Sequence, residues 1–158
     1  MIANLLTITE NQAEFLKTHS EQVEGFLYSD YVQDGADLVN IDRAWHGLHY
    51  LLTGSVWEGD EPLCSVVLGG DEIGDDLVYG PARFLDVEKV KEISAVLKEV
   101  HVDSLVQRYD AQVMNDAEVY PPNWTDDENE WLIEAFEKIL DFYNNAASQE
   151  QCVVLYLS

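Results

Sequence analysis

The sequence predicts an α+β domain in which a small mixed sheet, formed largely by the chain termini, is covered by helices. Three observations carry this. Residues 2–8 and 152–157 are apolar runs of strand length. Between them lie amphipathic stretches of helical period, several with recognisable caps. The size, 158 residues, encloses one hydrophobic core and leaves no room for two, so residues 1–158 read as a single layered domain.

At the N-terminus Ile2, Leu6 and Ile8 share one strand face, and Thr9 offers a cap to a helix starting at Glu10. Residues 20–28 read as a second short helix. Residues 29–40, with Gly35 and several acids, read as a loop. The clearest helix follows. Ile41, Trp45, Leu48 and Leu52 fall at i, i+4, i+7 and i+11, and Gly54 stands where a left-handed residue ends a helix. Residues 62–68 read as a further short helix closed by Gly69-Gly70. After it, residues 71–76 read as an acidic surface loop and Leu77-Val78-Tyr79 as a brief strand before Gly80-Pro81.

Asp86 caps a helix whose stripe is Val90, Ile93, Leu97 and Val100, and Asp103 caps another running through Tyr109. After Tyr120-Pro121-Pro122, Thr125 and Glu128 have the spacing of a capping box. The helix they open carries Leu132, Phe136, Ile139 and Tyr143 on one face. Residues 152–157 are apolar almost throughout, as a strand buried on both faces must be, so the two chain ends are expected to pair near the middle of the sheet. No repeat, low-complexity tract or linker interrupts the chain.

Charge is the most unusual property. Thirty-one Asp and Glu against eight Lys and Arg leave a formal −23. Such a field repels nucleic acid and anionic membranes, and suits either solubility or a basic protein partner. The hydrophobic content of 47% is too high for a disordered acidic chain. Cys64 and Cys152 are far apart and lack zinc spacing, so both read as reduced, buried thiols. The N-terminus lacks a basic segment and soon reaches Glu10, unlike a signal peptide, and no apolar run is long enough for a bilayer. A cytoplasmic protein is expected.

Four constellations could carry function. His46 and His49 stand at i and i+3 on the Trp45 helix, the spacing of an acid–base or metal pair. Without a HExxH motif or third ligand, their ordinary reading is that of hydrogen-bonded core histidines. Gly69–Asp76 offers glycines but also four carboxylates, which repel phosphate, and it lacks the order of a calcium loop. Arg83, in Tyr79-Gly80-Pro81-Ala82-Arg83, could clamp an anion or pair with a neighbouring acid. Finally, residues 116–141 hold nine acids and only Lys138. Asp126, Asp127, Glu128, Glu130, Glu134, Glu137 and Asp141 make a candidate face for a basic partner, or a solvated helix side. No GxSxG elbow occurs and neither cysteine has an activating context, so no catalytic residue, cofactor or metal site is assigned.

Residues 40–54, Asn-Ile-Asp-Arg-Ala-Trp-His-Gly-Leu-His-Tyr-Leu-Leu-Thr-Gly, resemble the signature helix of the YfbM-like family of small bacterial proteins of unknown function. Further matches follow in order: Pro62 with Val67-Leu68-Gly69-Gly70, Ile73-Gly74, Tyr79 to Arg83, Tyr120-Pro121 with Trp124, Phe142-Tyr143 and Ala146-Ala147. One departure is Ile2-Ala3, where members often have Ile-Gly. The resemblance implies a compact mixed α/β sandwich in a bacterial cytosol, and transfers no catalytic residue. Two functions are expected. The first is a non-enzymatic acidic binding protein of immunity or inhibitor type, engaging a basic protein. The alternative is a small-ligand binding or hydrolytic domain whose pocket gathers Trp45, His46, His49, Tyr79, Arg83 and Tyr120.

Overall fold

The computed structural model describes residues 1–35 and 38–158. Five strands, β1 (Ala3–Ile8), β2 (Leu38–Asn40), β3 (Asp71–Asp76), β4 (Pro81–Leu85) and β5 (Cys152–Leu157), form one open sheet in the order β2-β1-β5-β4-β3. As expected, the chain ends pair. Ala3 lies opposite Leu157 and Ile8 opposite Cys152, and the register between them is unbroken. All four pairings are antiparallel, where a mixed sheet was expected. Long helical connections allow parallel neighbours but do not require them.

Nine α-helices surround this sheet among the described residues: α1 (Glu10–Thr18), α2 (Val23–Leu27), α3 (Asp30–Gln33), α4 (Trp45–Thr53), α5 (Ser65–Leu68), α6 (Val87–Glu99), α7 (Val102–Arg108), α8 (Ala111–Asp116) and α9 (Asn129–Ser148). Because side chains alternate along a strand, the two central strands feed two cores. Leu5, Val153 and Leu155 join residues of α4, α6 and α9 on one face. Leu6, Ile8, Val154 and Tyr156 join α1, α2 and Val32 of α3 on the other. Neither strand has a wet face.

Local signals explain most helix ends. Thr9 and Gln12 form the reciprocal box that starts α1, with Gln12 N–H donating to Thr9 Oγ1 at 3.2 Å and Thr9 N–H to Gln12 Oε1 at 2.9 Å. Asp86 accepts from Lys89 N–H at 2.8 Å and opens α6. Gly54 ends α4 at φ +75°, a left-handed conformation that glycine adopts without a Cβ penalty. Arg108 donates Nη1 to the Leu51 carbonyl and, at 3.1 Å, to that of Leu52, satisfying acceptors in the last turn of the same helix.

Several expectations are corrected. Residues 71–76 are not a loop. They are the edge strand β3, with exposed carboxylates and a buried Ile73, bent by a bulge between Ile73 and Asp76. Leu77-Val78-Tyr79 is not a strand. Asp76 Oδ1 accepts the N–H groups of Val78 (2.9 Å) and Gly80 (3.2 Å), which curls the segment into a turn. Residues 29–40 contain α3, capped by Ser29, and β2; the loop reading of Ala36 and Asp37 lies outside the described residues. Asp103 sits in the first turn of α7, whose cap is His101. Thr125 donates N–H and Oγ1 to Glu128 at 2.7 and 3.1 Å, but α9 begins only at Asn129. Cys64 is half-buried rather than buried, and both cysteines are free thiols.

Gly47 locks α4 in place. A Cβ there would lie 2.6 Å from the Trp124 ring, so only glycine lets the helix approach it. Trp124 is itself tethered by its indole N–H to the Val119 carbonyl at 2.8 Å. Gly47→Ala is therefore expected to lower unfolding stability by about 1–3 kcal/mol, the cost of overpacking, as read in urea denaturation.

Candidate functional site

A cavity of about 410 Å³ opens over one face of the sheet. Leu5 and Leu155 line it from the central strands, Trp45 and Val67 from α4 and α5, Trp57 from the loop after α4 and Tyr79 from the turn between β3 and β4. Trp57 is 63% exposed and Tyr79 48%, and Val78, next to Tyr79, is 83% exposed. Arg83, on β4 opposite Leu155, also lines the hollow. Its guanidinium pairs with Glu72 at 2.8 Å, so its charge is already balanced.

Of the six pocket residues named from sequence, three thus border one cavity: Trp45, Tyr79 and Arg83. Tyr120 stacks behind Trp45, with ring centroids 5.8 Å apart, and borders a separate hollow beside Asn115 and Pro122. His46 and His49 are fully buried and line neither of these two hollows. No sequence motif marks Trp57, because its place depends on bonds to the backbone carbonyls on either side of it.

Those contacts are made by the two histidines. His46 Nε2 donates to the Val56 carbonyl at 2.7 Å, and its Nδ1 accepts the Tyr120 N–H at 3.0 Å, which fixes a neutral ring. His49 Nε2 donates to the Glu58 carbonyl at 3.1 Å. Val56 and Glu58 flank Trp57, so α4 holds the Trp57 backbone from both sides. The imidazole of His46 also lies 4.2 Å, centroid to centroid, from the Trp57 ring. The i,i+3 spacing thus serves a loop clamp.

The indole N–H of Trp45 is buried and has no partner among the described residues. An unmet buried donor costs about 1–3 kcal/mol. His49 Nδ1 is likewise buried without a partner. Among the described residues no three His, Cys, Asp or Glu side chains converge as a metal site would need.

The acidic residues lie elsewhere. Glu130, Glu134, Glu137 and Asp141 form an exposed stripe along α9, with Asp126, Asp127 and the less exposed Glu128 ahead of it. Among the described residues none of them is ion-paired. Burial, reinforced by the charges of Glu128, Asp126 and Asp127, pushes the Tyr109 phenol up to about 12.

A helix-covered antiparallel sheet with an aromatic-rimmed hollow is the class these features define. The chain belongs to the family described as "Domain of unknown function (DUF1877)", whose model matches residues 1–156. Its fold is that of YfbM from Escherichia coli, a protein of unknown function known from its crystal structure. The two share 20% identity over 98% of each chain, with a TM-score of 0.77. The resemblance carried by residues 40–54 and the later motifs is thereby borne out. No curated protein matches. Among the described residues no helix is long and apolar enough to cross a membrane.

Burial lowers the pKa of both histidines below the ordinary 6.5. The carbonyl bonds to Val56 and Glu58 oppose the shift, and the charge of His46 adds to it at His49. The folded state therefore binds fewer protons than the unfolded chain. This contribution to stability is full above 6.5 and is lost as pH falls below it through the lowered values. Urea unfolding between about pH 7.5 and 5 is expected to show this loss, and His46→Gln/His49→Gln is expected to flatten the slope relative to wild type.

Proposed function

We propose that this protein is a binding domain that engages a protein partner through the aromatic rim of the hollow. One observation carries the reading: Trp57, alone exposed among the four tryptophans, borders an apolar cavity together with exposed Tyr79. Tryptophan, tyrosine and arginine around a pocket are the composition of interface hot spots. An acidic inhibitor or immunity protein directed at a basic target is one form of such a binder, and the formal charge of −23 supports it by speeding encounter with cations. The reading takes the bacterial cytosol as its compartment.

The unpartnered Trp45 N–H favours a second reading, in which the cavity takes a small molecule bearing a hydrogen-bond acceptor. The exposed α9 stripe offers a protein partner another surface.

Peptide display on the immobilised protein, counter-selected on Trp57→Ala/Tyr79→Ala, separates these readings. Selected peptides are expected to carry a large apolar residue and to lose about tenfold or more in affinity on the variant. Peptides that bind both proteins equally would contradict the rim. A fragment that moves the Trp45 indole resonance in a Trp57→Ala background would favour the small-molecule reading.

A further inference from the structure

Resting on the partner-binding reading, we infer that the segment docking in this hollow presents a large apolar or aromatic side chain flanked by lysines or arginines. The walls specify the anchor. Leu5, Trp45, Val67 and Leu155 make the interior apolar, and about 410 Å³ admits one large side chain. Trp57 and Tyr79 then lie against its stem at the mouth.

The rim specifies the flanks. Glu58 and Asp60 follow Trp57 and are exposed; Asp75 and Asp76 precede the Val78-Tyr79 turn and are exposed too. Of the cations at the hollow, Arg83 is balanced by Glu72 and the Met1 ammonium donates to the Tyr120 hydroxyl at 3.0 Å, and the histidines of the clamp stand neutral. Exposed carboxylates thus stand in the chain beside both rim aromatics, which disfavours an incoming carboxylate and offers a lysine or arginine a partner next to either ring. The turn that carries Val78 is also strained. Val78 adopts φ +94°, a conformation costly for a β-branched residue, and its side chain stands in solvent. The Asp76 carboxylate holds that turn through two N–H groups.

The test uses three capped peptides, Lys-Lys-Gly-Trp-Gly-Lys-Lys, Glu-Glu-Gly-Trp-Gly-Glu-Glu and Lys-Lys-Gly-Ser-Gly-Lys-Lys, titrated into the full ¹⁵N-labelled chain and followed at the four indole N–H resonances. The first is expected to move the Trp57 signal. It is expected to bind about tenfold or more tightly than either of the others, and to weaken as salt rises from about 25 to about 250 mM. Trp57→Ala, a substitution at an exposed site, is expected to abolish the difference between the tryptophan and serine peptides. Equal binding of the glutamate peptide at Trp57 would overturn the flanking charge and leave the rim reading standing. Equal binding of the serine peptide would overturn the anchor. If no peptide moves Trp57, both the inference and the rim reading fall.

Discussion

The antiparallel pairing of the two chain ends is the constraint on which the rest depends. β1 and β5 occupy the centre of the sheet, hydrogen-bonded to each other over six residues and to outer strands on either side. Because both of their faces are covered, each strand must be apolar at nearly every position, and each feeds two helical layers. The same strands bring Leu5 and Leu155 to the hollow. Forming this pair closes almost the entire chain into one loop, so the site cannot assemble before the termini meet.

On that base, α4 converts sequence-local features into a surface. Gly47 seats the helix against Trp124, Arg108 and Gly54 finish its C-terminus, and the two histidines reach across to the carbonyls on either side of Trp57. A buried neutral imidazole suits this task, because Nε2–H donates while Nδ1 of His46 accepts the Tyr120 N–H. The loop that carries the exposed Trp57 is thereby tied at the backbone, which would reduce the ordering cost that a mobile rim brings to the proposed binding.

What sequence reveals here follows how local each cause is. The terminal strands were legible because burial on both faces demands continuous apolar runs, and α1, α6 and α9 were legible from period and acidic or hydroxyl signals near their starts. β3 was hidden because an edge strand with one buried residue, Ile73, among four carboxylates looks like a solvated loop. Leu77-Val78-Tyr79 misled in the opposite sense, since apolar residues of high strand propensity are curled by a single upstream carboxylate. Trp45, Tyr79 and Arg83 stood out inside the motif segments, and they do border one cavity. Trp57 did not, because the bonds that place it run from a helix to carbonyls about ten residues away, and backbone carbonyls leave no trace in composition.

In the proposed binding, His49 acts on the partner through the loop that carries Trp57. A double-mutant cycle tests it directly, with affinity for a Trp57-dependent peptide measured for wild type, His49→Gln, Trp57→Ala and the double variant. His49→Gln is expected to weaken binding in the wild-type background and to add no further loss once Trp57 is removed. Additive losses would contradict it, since they would mean that the histidine contributes to binding by a route other than the loop it holds.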